Sequence, residues 1–232
     1  MKTWKRFLAL GLVTIITAIM FVGCGSSDIS EGVAKNDYPI TINGVTLNSQ
    51  PTGVAVLSQN IADVILTGGF EATLKAKSED CTQEDLSILP NLTIDDAQEM
   101  KSLGVTLVLV DEAPTEQQTA ALQAQGIQVL AISPAKSRDD CKRLYREVGS
   151  AMVGGNTGYT KGEKACDNVF YTLDDITRLV PSTGTQYSAC YLYDLEGHAA
   201  TGNSLFGSLI SYAGFFNSFG NELNNEIDIN NL

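Results

Sequence analysis

A single histidine, His198, is all that the 232-residue sequence contains. A metal centre built on a histidine-rich ligand set is therefore not open to this chain. Nucleophile elbow, Walker phosphate loop and dinucleotide fingerprint are all missing, and scattered carboxylates around one histidine form no catalytic constellation. The expectation is a protein that is not an enzyme and needs no cofactor. Positive charge is scarce too: 15 Lys and Arg stand against 27 Asp and Glu, a net charge of −12. No basic face is left to hold nucleic acid, and nothing draws the chain electrostatically to anionic lipid. Four of the five cysteines (Cys81, Cys141, Cys166 and Cys190) lack metal or redox spacing, and their three possible pairings stay open. Cys141 and Cys166 fall on helical stripes and Cys190 in an apolar strand, where a small buried thiol is expected. Cys81, in a loop, is the one left with a candidate role.

What is present begins at the N-terminus. Lys2, Lys5 and Arg6 precede an uncharged apolar run over residues 7–23. That run is short for a membrane span, which takes about 20 residues, and fits a secretory signal. Phe21-Val22-Gly23-Cys24 resembles a bacterial lipobox, in which the cysteine becomes the lipidated first residue. A plain secretory signal, or an uncleaved anchor with Cys24 incidental, are the alternatives. Polar Gly25-Ser26-Ser27-Asp28 follows as a tether would. Residues 1–23 are thus expected to be a lipoprotein signal and 24–38 a tether, placing the protein outside the cytoplasm on a membrane lipid anchor. Two acyl chains suffice for stable anchoring where one is marginal. Removing the three basic residues of the signal takes the net charge from −12 to −15.

Beyond the tether, Ile40, Ile42, Val45 and Leu47 alternate around Asn43-Gly44, a hairpin signal. Strands are then expected at 54–57, 72–77, 105–110 and 127–132, the last two as buried parallel strands. Helices alternate with them: one opened by Ser58-Gln59-Asn60 and closed by Gly68-Gly69, then 94–103 and 115–125. A long polar loop occupies 78–93. Ser137-x-x-Asp140 opens another helix, with the stripe Cys141, Leu144, Tyr145, Val148 and Met152. The alternation predicts a doubly wound α/β lobe over residues 39–157.

The stretch 158–181 follows as one long helix. Ala165, Val169, Leu173, Ile176 and Val180 draw its stripe, and Cys166 and Phe170 widen it. It reads as a surface helix or as a strut between lobes. Residues 182–232 supply a strand at 186–193, a loop at 197–203 and a helix at 204–213. The predicted class is α/β, with two doubly wound lobes joined by one long helix and the second lobe incomplete.

Several blocks, in order, resemble the substrate-binding lipoproteins of ABC importers for iron–siderophore, haem and cobalamin uptake. They are Pro51 through Leu66, Leu89-Pro90, Gln118 through Ile132 with Gln125-Gly126-Ile127-Gln128-Val129, and Gly197 through Gly220 with Ala213-Gly214-Phe215-Phe216-Asn217. The resemblance runs from about Ile40 to the C-terminus and implies two lobes on one backbone helix, which is the strut reading. Two departures stand against the family pattern. Its Asn-Pro-Asp before the third strand is Leu103-Gly104-Val105-Thr106 here, and the second lobe holds one strand and one helix. A truncated or split member is the resulting expectation.

Ligands of open α/β sheets bind beyond the carboxyl ends of the strands. Those ends are Ser58-Gln59-Asn60, Asp80-Cys81 and Asp111-Glu112. Across the cleft lies the loop with His198, Thr201 and Asn203. The candidate ligand contacts are accordingly Ser58, Gln59, Asn60, Asp80, Cys81, Glu112, His198, Thr201 and Asn203. Ser58 and Asn60 serve equally well as helix caps. Thr201-Gly202-Asn203 either offers N–H groups to an anion or caps a helix. The resemblance further implies docking on an ABC permease through surface acids, with candidates Asp95, Asp96 and Glu99 on the first lobe and Glu226 and Asp228 on the second. Acids in a helix's first turn also suit its dipole without any partner. The expected function is capture of a bulky chelate and its delivery to the permease. The alternative is a degenerate paralogue serving as a surface scaffold with no transported ligand.

Overall fold

A computed structural model describes residues 37–180 and 186–227. The signal, Cys24, most of the tether and Asp228 lie outside those residues. Strands β1 (Ile40–Ile42) and β2 (Val45–Leu47) pair antiparallel, turned by Asn43 and Gly44 at φ of 48° and 82°. Two successive positive φ values are the hairpin geometry that Asn-Gly adopts at least cost.

Next come β3 (Val54–Val56), α1 (Gln59–Gly68), β4 (Leu74–Lys77), α2 (Ala97–Ser102), β5 (Leu107–Val110), α3 (Glu116–Ala124) and β6 (Gln128–Ala131). The strands form one parallel sheet in the order β4-β3-β5-β6. Their side chains alternate between two cores, as a pleat requires. Val54, Val56, Leu107, Leu109 and Leu130 face one core, and Ala55, Val108 and Val110 face the other with Met100 and Leu122. The doubly wound lobe is confirmed.

Three local expectations change. The helix expected at 94–103 is reduced to α2, because the Asp96 carboxylate accepts from Thr93 N at 2.7 Å and Thr93 Oγ1 at 2.6 Å and holds a turn there. The loop 78–93 contains a 3₁₀ turn, Glu84–Leu86, which buries Leu86. Strand β6 is an edge strand with Gln128 exposed, so it is not buried on both faces.

Helix α4 (Arg138–Val153) is capped by Ser137, whose Oγ accepts from Asp140 N at 3.1 Å, and it buries every residue of its expected stripe. Helix α5 (Gly155–Leu179) starts three residues before the expected boundary, since only Gly154 breaks the chain while Gly155 and Gly158 are helical. Its buried line is Gly158, Gly162, Cys166 and Phe170, whereas Val169 and Ile176 are 52% and 48% exposed. The stripe therefore sits one position away from the one that bulky residues mark. Glycines let the two helix backbones touch: a Cβ on Gly158 would overlap the Gly149 carbonyl and reach 2.8 Å from the Ser150 Cα, and one on Gly162 would overlap the Tyr145 carbonyl.

Ion pairs flank that seam. Glu163 meets Lys142 at 2.8 Å and Arg146 at 2.6 Å. Hydrogen bonds from Lys142 and then Arg146 hold the Glu163 carboxyl below its ordinary value of 4.5. A depressed folded value means the contribution is fully present above about pH 4.5 and is lost as pH falls through the lower folded value. Melting temperature is expected to fall on acidification through this window, and Glu163→Gln should flatten that slope. An unchanged slope in the variant would remove Glu163 from the account.

The first residues assigned to structure were expected to belong to the tether, and this is corrected. Asp37 is buried, with Oδ1 accepting from Asn156 N at 2.9 Å and Thr157 N at 3.1 Å at the start of α5. The Tyr38 hydroxyl donates to the Ala151 carbonyl at 3.1 Å.

After α5 come β7 (Ser188–Ala189), α6 (Leu205–Tyr212) and β8 (Phe216–Asn217). The strand expected over 186–193 is two residues long, and β8 pairs parallel with it, so the segment is a βαβ unit rather than a lone strand and helix. Cys190, expected to be buried, is exposed. The unit is tied to the first lobe through α5. Asp174 accepts from Arg138 Nη2 at 2.5 Å and from the Tyr212 hydroxyl at 2.9 Å, and the Arg138 guanidinium lies 5.3 Å from the Phe170 ring centre and 5.1 Å from that of Tyr212.

Candidate functional site

The parallel strands end in step, Leu57 N donating to Leu109 O and Ser78 N to Val56 O, both at 2.9 Å. Beyond those ends opens a cleft of ≈ 460 Å³. The turn after β4 contributes Ser78, Glu79 and Asp80, and the turn after β5 contributes Asp111 and Glu112. Leu57, Leu92, Ile94 and Val110 supply apolar wall, and Gln118 lines the far side. Strand ends carry the chemistry here because the chain must turn there, which leaves side chains free of the pleat.

Of the nine candidate contacts, Asp80 and Glu112 line this cleft. Ser58 is buried and spends its hydroxyl twice, accepting from Ile61 N at 3.3 Å and donating to Asp111 Oδ2 at 2.9 Å. It is a helix cap that also locks the end of β3 to the end of β5. Gln59 and Asn60 are exposed on the first turn of α1, outside the cleft walls. Cys81 is corrected: it is fully buried, with Sγ 3.8 Å from the Val56 carbonyl and 3.3 Å from Ser78 Oγ, and presents no thiol to a ligand. Cys141 is buried as expected, and burial followed by the nearby Cys166 pushes its thiol up to about 11.

On the second lobe, Thr201 is also corrected. It is fully buried and donates from Oγ1 to Asn225 Oδ1 at 3.1 Å. Gly202 N is occupied by the Glu222 carbonyl, and Ser204 rather than Asn203 caps α6, accepting from Gly207 N. The anion-binding reading of that turn therefore loses its donor at Gly202. Asn203 is exposed and accepts from Lys136 Nζ at 3.4 Å. His198 is half-buried with Nδ1 2.5 Å from Asp194 Oδ2. Burial acts to raise the Asp194 carboxyl, but hydrogen bonds from Glu196 N, His198 N and the His198 ring prevail and hold it below its usual value. The carboxylate holds the imidazole through Nδ1.

Residues missed by sequence reasoning include Glu79, Leu92, Ile94 and Gln118. Glu79 was findable, since it lies in the turn just after β4; the other three reach the cleft only through packing. Tyr191 and Tyr193 meet Phe206 of α6, whose ring stacks on that of Tyr191 at 4.9 Å. All three rings are exposed.

Among the docking candidates, Asp95 is exposed and accepts from Gln118 Nε2 at 3.0 Å. Asp96 is committed to Thr93, whose hydroxyl and then backbone hydrogen bonds lower its carboxyl. Glu99 and Glu226 are exposed.

No family model matches the chain and no curated protein does. Solved structures do. The haem-binding protein HutB of Vibrio cholerae superposes with a TM-score of 0.61 at 16% identity, covering 76% of this chain and 70% of that one. The chain has the fold of the periplasmic solute-binding proteins. A periplasmic solute-binding protein of Staphylococcus epidermidis, described as a possible iron-binding protein, matches with a TM-score of 0.60 at 13% identity over 78% of this chain and 73% of its own. The vitamin B12-binding protein BtuF of Vibrio cholerae gives 0.56 at 14% identity, covering 78% and 72%. At these identities the likeness is one of fold.

Proposed function

We propose that the chain is the solute-binding component of an ABC-type importer, taking a bulky chelate of iron, haem or cobalamin type without chemical conversion. The observation that carries this reading is the ≈ 460 Å³ cleft at the carboxyl ends of β3, β4 and β5, in a fold whose solved relatives are named as iron-, haem- and B12-binding proteins. Asp80 and Glu112 are its contacts on the first lobe (residues 39–157). His198 and Asn203 offer contacts from the second (182–232), and the helix over 158–181 joins the two. Delivery to a permease would use Asp95 and Glu99 on one lobe and Glu226 and Asp228 on the other. Membrane attachment would come from lipid on Cys24; no helix among the described residues is long and apolar enough to cross a membrane.

A second reading, a surface scaffold without transported solute, draws support from one feature. The described residues after α5 bury only Gly197, Ala199, Ala200, Thr201, Ser204, Gly207 and Asn217, none of them a large apolar side chain. A thermal melt of the full chain in detergent, alone and with cobalamin, haem and ferric siderophores, separates the two. A ligand at about 100 times its Kd adds about 2.7 kcal/mol, and each kcal/mol moves Tm by roughly 2–4 °C at this size. One selective upward shift of about 5–10 °C is expected. A melt that no chelate moves would leave the scaffold reading standing.

A further inference from the structure

The cleft has a charge pattern that bears on which chelate it takes. Glu79, Asp80, Asp111 and Glu112 line it, and no Lys, Arg or His does. Asp111 is engaged by Ser58, but Glu79, Asp80 and Glu112 have no hydrogen-bond or ion-pair partner among the described residues, so their charge is not cancelled locally. The neighbouring cation, Lys77, is buried and already committed, its Nζ donating to Asn91 Oδ1 at 2.6 Å and Ser78 O at 3.3 Å. Between the carboxylates the wall is apolar, at Leu57, Leu92, Ile94 and Val110. The cleft thus combines a surface for an organic body with a one-signed rim. The chain's net charge of −12 acts in the same direction.

Resting on the reading that this cleft holds the solute, we propose that it selects neutral or cationic chelates and rejects those carrying free carboxylates. A carboxylate-bearing ligand brings like charge toward three unpaired acids with no basic group to receive it. A pendant ammonium instead finds acceptors on both strand-end turns. Each partly exposed charge pair contributes modestly, but several acting on one ligand charge compound. About a tenfold change in Kd for each unit of ligand charge is expected at low salt. Screening should compress that spread as ionic strength rises, because the Debye length shrinks from about 30 Å at 0.01 M to about 3 Å at 1 M.

The test holds the chelate core constant and varies only its charge. Ferrioxamine B, a ferric trihydroxamate with one pendant ammonium, is compared with its N-acetyl form, which is neutral, and its N-succinyl form, which is anionic. Affinities for the full chain in detergent are measured by calorimetry at about 0.02 M and about 0.5 M salt, with cobalamin and haem as additional probes. Affinity falling in the order ammonium, acetyl, succinyl, and converging at high salt, supports the inference. Loss of that spread in the triple variant Glu79→Gln, Asp80→Asn, Glu112→Gln locates it in the cleft, and a spread that survives the variant overturns that assignment. Binding of cobalamin alone, as a chelate without free carboxylates, also supports selection by charge. A flat or reversed order, or binding of haem alone, overturns the inference while leaving a solute-binding protein. Silence with every probe removes the solute-binding reading, and this inference with it.

Discussion

Gly158→Ala is expected to lower stability by about 2–3 kcal/mol, although alanine is the better helix former by about 1 kcal/mol. The reason lies across the helix pair. Gly149 and Gly158 bring the backbones of α4 and α5 into contact, and the added methyl would overlap a carbonyl oxygen of the opposite helix rather than the pliable end of a side chain. Backbone cannot yield without moving the whole helix, and packed interiors transmit such a shift to every neighbour. Cys166 and Phe170, further along the same line, would lift out of the core shared with Cys141, Leu144 and Val148. For a domain of this size the loss corresponds to roughly 5–10 °C in Tm. Gly162→Ala should behave alike, through the Tyr145 carbonyl. A neutral or stabilising Gly158→Ala in a denaturant melt would mean that the helices are not in backbone contact.

Asp37→Ala is expected to cost about 2–4 kcal/mol, in the range of an aliphatic core truncation. The Asp37 carboxylate is buried at the N-terminus of a 25-residue helix and accepts two of its otherwise orphaned N–H groups. Bonds to a charged acceptor are stronger than neutral ones, and the helix dipole adds to them at that end. Removing the side chain leaves both part-buried donors without that acceptor, which costs more than the net worth of the bonds themselves. Its own carbonyl accepts from Gly155 N at 2.8 Å, a bond that alanine would keep. Asp37→Asn, which retains an acceptor oxygen without the charge, should recover about half of the loss. If Asp37→Ala melts like the parent, the start of α5 is held by something else. Because Asp37 also lies where the expected tether would end, a stable variant would extend that tether into the folded unit.

These two sites show how far sequence reasoning reaches into this protein. The Asn43-Gly44 hairpin, the Ser58 and Ser137 caps and the central parallel strands all follow from local chemistry: a positive-φ dipeptide, a hydroxyl before an apolar run, a short apolar run bounded by turns. The stripe of α4 is legible for the same reason, since its inward positions are bulky. That of α5 is not. Glycine carries no hydrophobic signal, so a line of Gly158 and Gly162 disappears behind Val169 and Ile176, which face outward.

The cleft divides in the same way. Asp80 and Glu112 are readable because they lie in the turns just after strands, and the doubly wound order places strand ends together. Thr201, Cys81 and Ser58 were equally eligible by position, yet all three turn inward to satisfy buried groups. Leu92, Ile94 and Gln118 join the cleft from segments that nothing local ties to it.

The sequence by itself determined the alternation of strands and helices, the long α5 and the acidic character, since each depends on a residue's nearest neighbours or on a simple count. Tertiary structure alone decided which face of α5 is buried, that Asp37 caps it, and which strand-end side chains remain free for a ligand. Those outcomes depend on close approach between residues up to 120 positions apart, and no local pattern along the chain encodes such contacts.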